Sequence, residues 1–145
     1  TIDTPFEIGK AQMCFGETKA KADVGIIATG ALLYRALKVA DALEKENIST
    51  KVLNIATIKP LDSEAIIDLA KTTGGIVTVE EHQIAGGLGS AVSEVLSANF
   101  PVPIEFIGVK DLFGQSGTPD ELLKHYGMSE SDILAACKKV IARKV

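Results

Sequence analysis

Four uninterrupted apolar runs, separated by segments of helical period, leave this chain few possible folds. They are VGIIATG (Val24 to Gly30), TKVLNIATIKP (Thr50 to Pro60), GIVTVEEH (Gly75 to His82) and IEFIGVK (Ile104 to Lys110). A strand with one wet face alternates polar and apolar residues, whereas a continuous apolar run suits a strand covered on both faces, as in a parallel sheet. The intervening segments repeat apolar residues at spacings of three and four. Ala31 to Glu46 carries Leu32, Leu33, Ala36, Leu37, Ala40 and Leu43 on one face. Asp62 to Thr72 offers a cap at Asp62, then Ile66, Ile67 and Leu69. Gly89 to Asn99 carries Val92, Val95 and Leu96. After the last run, Thr118-Pro119-Asp120-Glu121 forms a capping box with proline at the first helical position. Ser129 to Asp132 repeats that logic before Ile133, Cys137, Val140 and Ile141.

Strand and helix thus alternate, which predicts a three-layer α/β/α domain with a mostly parallel sheet. FEIGKAQMCFG (Phe6 to Gly16) reads as an additional edge strand. No linker, low-complexity tract or internal repeat interrupts the 145 residues, so residues 1–145 are expected to form a single domain.

Charge and composition exclude several function classes. The formal net charge is −4, and lysine and arginine are scattered until the tail KKVIARKV, which reads as the solvated end of a helix. Nucleic acid is therefore not an expected partner. No apolar run approaches the roughly 18 residues a membrane span needs, and no signal-peptide pattern opens the chain, so a cytoplasmic protein is expected. Cys14 and Cys137 are far apart and lie in no motif, which fits reduced residues in or near the core. The chain begins TIDTPFEIGK without methionine, as a processed product or a piece of something longer would.

One stretch concentrates the possible chemistry: Glu80-Glu81-His82, followed by Gly86-Gly87-Leu88-Gly89-Ser90. A dinucleotide fingerprint would need a third glycine where Val92 stands and a ribose-binding acid about 20 residues on; neither is present. The N–H groups of Gly89, Ser90 and Ala91 could meet an anion at a helix N-terminus, but no phosphate-loop lysine follows. The glycines could equally serve a sharp turn and close helix–sheet packing. His82 falls at the carboxyl end of its strand, where open α/β sheets bind ligands. Alternation places Glu80 beside it and Glu81 on the opposite face. No nucleophile or metal-ligand set accompanies it, since the chain has only His82 and His125. The residues alone thus assemble no catalytic, cofactor-binding or metal site, and they suit a domain that works as part of a larger enzyme. A stand-alone anion- or nucleotide-binding module using the Gly87–Ala91 turn stays open beside that reading.

Taken together, ATGALLYRALKVADAL, LNIATIKPLD, VTVEEHQIAGGLGSAVSEVL and IGVKDLFGQSGTPDELLKHYGMSESDI resemble the C-terminal domain of transketolase over nearly the whole chain. The most specific part is Glu81-His82 with Gly86-Gly87-Leu88-Gly89, followed by Gly117 to Leu123 and Tyr126-Gly127. The resemblance implies a mixed five-stranded sheet with one antiparallel edge strand, a place that FEIGKAQMCFG would fill. It implies an enzyme of the pentose phosphate pathway that moves two-carbon ketol units between sugar phosphates. The whole enzyme would use thiamine diphosphate and a divalent cation, Mg or Ca. The thiamine motif and the activating glutamate belong to other domains of that family, so the chain alone is expected to lack catalysis. Its implied role is structural, with the remaining transketolase domains or an N-terminal subunit as partners and a homodimer as the assembly. Glu81, His82, Gly86, Gly87, Gly89 and Ser90 then become candidates for interface or anion contacts. Deoxyxylulose-phosphate synthase and the beta subunits of 2-oxo acid dehydrogenases share such a domain and are the alternatives. GVKDLFGQSGTPDELLKHYG looks closer to transketolase, in particular to the type encoded as two subunits.

Overall fold

The computed structural model describes residues 6–144. Five strands and five helices follow in the order β1 (Gln12–Phe15), β2 (Val24–Ala28), α1 (Leu32–Lys45), β3 (Thr50–Asn54), α2 (Ser63–Thr73), β4 (Ile76–Gln83), α3 (Leu88–Asn99), β5 (Ile104–Val109), α4 (Pro119–His125) and α5 (Glu130–Ala142). They build one five-stranded sheet in the order β1-β3-β2-β4-β5. β2, β3, β4 and β5 pair in parallel, and β1 pairs antiparallel with β3 at the edge. The mixed sheet anticipated from the resemblance is therefore the one formed.

Two expected strands are shorter than the sequence suggests. The run Thr50 to Pro60 leaves the sheet after Asn54, because its neighbours on both sides stop there: Ala28 of β2 and Gln12 of β1 are both level with Asn54. The run Phe6 to Gly16 is a strand only from Gln12 to Phe15, with a register shift between Met13 and Phe15. Residues 6–10 lie beyond the end of β3, where the Gly9 N–H donates to the Thr57 hydroxyl (2.8 Å).

Both faces of the sheet are covered, as continuous apolar strands require. On one face α1 and α5 bring Leu32, Ala36, Val39, Leu43, Ile133 and Val140 against Val24, Ile26, Val77 and Val79. On the other, α2 and α3 pack Ile66, Leu69, Leu88, Val92 and Leu96 against Ile27, Leu53 and Ile76. Each large side chain so buried contributes about 1.5–3 kcal/mol. Cys137 sits in the first of these layers, and burial pushes its thiol up to about 12, so it stays protonated as a small apolar residue. The helix ends follow the caps read from sequence. Asp62 accepts from Ala65 N (3.2 Å), and capping boxes start α4 at Thr118 and α5 at Ser129. Arg35 on α1 pairs with Asp120 of α4 and Glu130 of α5, tying the last two helices to the first.

The strand order has one consequence for function. From β2 the chain passes through α1 to β3 on one side; from β4 it passes through α3 to β5 on the other. Adjacent strands β2 and β4 therefore send their helices to opposite faces, and a crevice opens between their carboxyl ends. That is where open α/β sheets place their ligands.

Candidate functional site

The crevice at this switch point has a volume of ≈ 260 Å³. Thr29 and Gly30 line it from the end of β2, Ile58 from the β3–α2 loop, Glu80 and His82 from β4, and Gly86 and Gly87 from the turn into α3. The last four residues of β4 do not alternate as a regular strand would. Its pairing with β5 is regular through Val79 and shifts before Gln83. As a result Glu81 and His82 both face solvent, while Glu80 turns inward and is only 1 % exposed. Glu80 and His82 nevertheless approach each other, as the alternation expected from sequence has it, with His82 Nδ1 4.0 Å from Glu80 Oε2.

Glu80 accounts for the glycine-rich turn. One carboxylate oxygen accepts from Leu88 N (2.7 Å) and the other from Gly89 N (2.8 Å). These are donors at the first turn of α3, whose N-cap position, Gly87, has no side chain to serve them. The carboxylate also lies at the positive end of the helix dipole. Each glycine has its own reason. Gly86 has φ +78°, which favours glycine. At Gly87 a Cβ would fall 2.8 Å from Glu80 Cδ, 2.5 Å from the Gln83 carbonyl oxygen, and closer still to Glu80 Oε2. At Gly89 it would meet the Phe106 ring at 2.7 Å and Thr78 Oγ1 at 2.9 Å. Ser90 fastens the turn from within: its hydroxyl donates to the Ile84 carbonyl (2.9 Å) and accepts from Gly86 N (2.8 Å).

His82 holds the outer lip. Its Nδ1 lies 3.0 Å from the Gln83 carbonyl oxygen and 4.0 Å from Glu80 Oε2, with the ring largely in solvent. Two of the three helix-end donors that the sequence offers to an incoming anion, those of Gly89 and Ala91, are therefore already engaged. Leu88 and Gly89 give theirs to Glu80, and Ala91 N bonds back to Gly87 O (3.2 Å) within the helix. The crevice also carries Glu80 and Glu81 and no lysine or arginine. A diphosphate brought here would meet carboxylates instead of cations, so the residues do not fit thiamine diphosphate. Among the described residues no three histidine, cysteine, aspartate or glutamate side chains converge as a cation's ligand set.

Two contributors escape a reading of the sequence. Gly108 on β5 leaves room for Glu80 to fold inward, since a Cβ there would lie 3.2 Å from Glu80 Cγ and 2.9 Å from the His82 carbonyl oxygen. Gln83 accepts from Asp111 N through its side-chain oxygen (2.9 Å), joining the β4–α3 turn to the β5–α4 loop. The legible signal was an acid at a strand end followed eight residues later by a helix with no capping side chain.

One polar atom under the turn is an orphan. Thr78 is fully buried beneath Gly89, and its hydroxyl has no hydrogen-bond partner. Valine has the same branched shape, so Thr78→Val is expected to raise the unfolding free energy by about 1 kcal/mol. Chemical denaturation of the two proteins measures this, and a clear loss of stability would mean that the hydroxyl is bonded.

Fold and site together define an open-sheet α/β domain whose switch-point helix is capped by a carboxylate of its own chain. Residues 16–133 match the family model described as transketolase, C-terminal domain. The chain is 40% identical over 139 residues to a 6-deoxy-6-sulfo-D-fructose transketolase subunit of Clostridium sp. (strain MSTE9), covering 96% of this chain and 42% of that protein. It is 39% identical over 140 residues to a transketolase of Rattus norvegicus, covering 95% of this chain and 22% of that one. Among solved structures, a split-gene transketolase described as an inactive β4 tetramer superimposes with a TM-score of 0.92 at 42% identity, over 100% of this chain and 46% of that one. The chain belongs to the transketolase C-terminal domain family. It spans less than half the length of these relatives.

Proposed function

We propose that this chain is the C-terminal structural and assembly part of a transketolase of the two-subunit type. The observation that carries the reading is Glu80. By filling the N-terminus of α3 from inside, it takes the Leu88 and Gly89 donors that this fold would otherwise offer to a phosphate and sets a carboxylate in their place, which suits a packing role. Thiamine diphosphate and its divalent cation, Mg or Ca, are then held by the other domains. Those domains transfer the two-carbon unit between sugar phosphates in the cytoplasm, as a step of the pentose phosphate pathway. The donor and acceptor sugars are set outside this domain as well; one relative carries 6-deoxy-6-sulfo-D-fructose in its name. Self-association is part of the proposal, since the split-gene relative is a tetramer of one kind of subunit. Glu81 and His82 would serve as contact residues at the outer lip of the crevice.

Two measurements test this. Calorimetric titration of the purified chain with thiamine diphosphate and magnesium is expected to give no saturable heat. Saturable binding would place a cofactor site in this domain and end the division of labour. Mixed with the thiamine-binding portion of a two-subunit transketolase, the chain is expected to restore ketol transfer from a ketose phosphate to an aldose phosphate. A portion that stays inactive with the chain present would remove the assembly role.

A further inference from the structure

A buried cation without a counter-ion lies near the edge of the sheet, away from the crevice. Lys51 on β3 is only 6% exposed, although lysine is rarely so covered unless it is paired. Alternation puts it with Leu53 on the face of the sheet that α2 covers. Its stem runs beneath the end of β1, where a Cβ on Gly16 would lie 3.1 Å from Lys51 Cγ. Its ammonium donates to the Thr72 hydroxyl of α2 (3.2 Å), and among the described residues it forms no ion pair. An ammonium has three N–H groups, so two are left to find acceptors. Thr72 is fully committed: its own proton goes to the carbonyl oxygen of Asp68 (2.9 Å) or Leu69 (3.1 Å) in the helix.

Lys51 and Thr72 line a groove of ≈ 290 Å³ between the edge strand and α2. Ala11 and Met13 border it on one side, Ala65 and Leu69 on the other, and Leu53 lies between them on β3. Asp68 also lines it, with its side chain mostly in solvent and 3.8 Å from Lys71. An unpaired buried ammonium is unfavourable, and an anion entering the groove would offset that cost. The lining says which anion. Two spare N–H groups on one cation match the two oxygens of a carboxylate. A phosphate dianion would be only half neutralised by Lys51 and would face Asp68 as well. The apolar side chains suit an apolar body and not a hydrated sugar. None of the large exposed apolar residues lines the groove, so it lacks the apolar surround by which a docked protein would seal it. Its volume lies near the lower end for small-molecule sites, about 300 Å³.

We infer that the groove between the edge strand and α2 binds a small monocarboxylate with an apolar body, its oxygens held by the Lys51 ammonium. The test is an NMR titration of the backbone amides of the chain with hexanoate, with 1-hexanol and inorganic phosphate supplying the body and the charge alone. Lys51→Met keeps the apolar stem and removes the ammonium. Ala65→Met fills the groove from α2 and leaves the ammonium in place, and it decides the matter if Lys51→Met does not fold. Hexanoate is expected to give saturable shifts around Met13, Lys51 and Thr72. Binding should be at least about 10-fold weaker for hexanol and phosphate, and weaker by a similar factor in both variants. Binding that survives Lys51→Met or Ala65→Met undiminished lies elsewhere and overturns the proposal. Phosphate binding as tight as that of hexanoate overturns the assigned class of ligand. No saturable shift up to about 10 mM hexanoate also overturns it, and leaves Lys51 to an acidic side chain of another chain.

Discussion

Glu80→Ala is expected to lower the unfolding free energy by about 4 kcal/mol, the largest effect of any single side chain outside the apolar core. Glu80 is buried, and both its oxygens are engaged by backbone N–H groups at the start of α3. Removing the carboxylate leaves the Leu88 and Gly89 donors without partners in a site that water does not reach freely. Each orphaned donor costs about 1–3 kcal/mol. The favourable meeting of a negative charge with the helix N-terminus, worth up to about 2 kcal/mol in a buried setting, is lost as well. Glu80→Gln separates these contributions. The amide keeps the shape and one acceptor oxygen, but its NH₂ confronts the second backbone donor, so a loss of about 2–3 kcal/mol is expected. Urea titration of the three proteins measures the series. A Glu80→Gln protein as stable as its parent would show that the charge and the second bond contribute nothing.

Gly87→Ala should be nearly as damaging, for a different reason. The backbone of Gly87 has φ −92° and ψ −158°, a conformation that alanine also adopts. The penalty is therefore steric. The new methyl group would overlap the Glu80 carboxylate and the Gln83 carbonyl oxygen, and one of them must move. A loss of about 3 kcal/mol is expected, at the upper end for overpacking. Gly86→Ala is the contrasting case. Nothing lies within 4 Å of its Cβ position, and only the positive φ resists the change, at about 1–2 kcal/mol. The two mechanisms part in a double mutant. Combining Gly87→Ala with Glu80→Ala removes one of the atoms the methyl strikes, so the combined loss should fall short of the sum by at least about 1 kcal/mol. Strict additivity would mean that the clash with the Gln83 carbonyl dominates.

The parts of this architecture set by local chemistry were legible in the sequence. β2 and β4 announce themselves as unbroken apolar runs because both their faces are covered. The starts of α2, α4 and α5 follow from Asp62, Thr118 and Ser129, whose side chains cap neighbouring N–H groups. FEIGKAQMCFG was legible as an edge strand, while its antiparallel pairing and the mixed sheet came through family resemblance. The end of β3 at Asn54 was not legible, because it depends on where the neighbouring strands stop and nothing in TKVLNIATIKP marks it. The inward turn of Glu80 was hidden for the same kind of reason. It requires the shifted pairing between β4 and β5 and the space left by Gly108, a residue far along the chain. Sequence alternation placed Glu80 with His82, and the pair does approach, but one is a buried cap and the other a surface residue.

The capping of α3 by Glu80 can also be viewed as binding. A helix N-terminus at a switch point is a receptor for anions, and here the anion is tethered eight residues away on the same chain. A tethered ligand competes at an effective concentration that free metabolites do not match, because its site and its linker are both rigid. The Leu88 and Gly89 donors are therefore taken from within the chain, and a free anion reaching the crevice would have to displace Glu80 to use them.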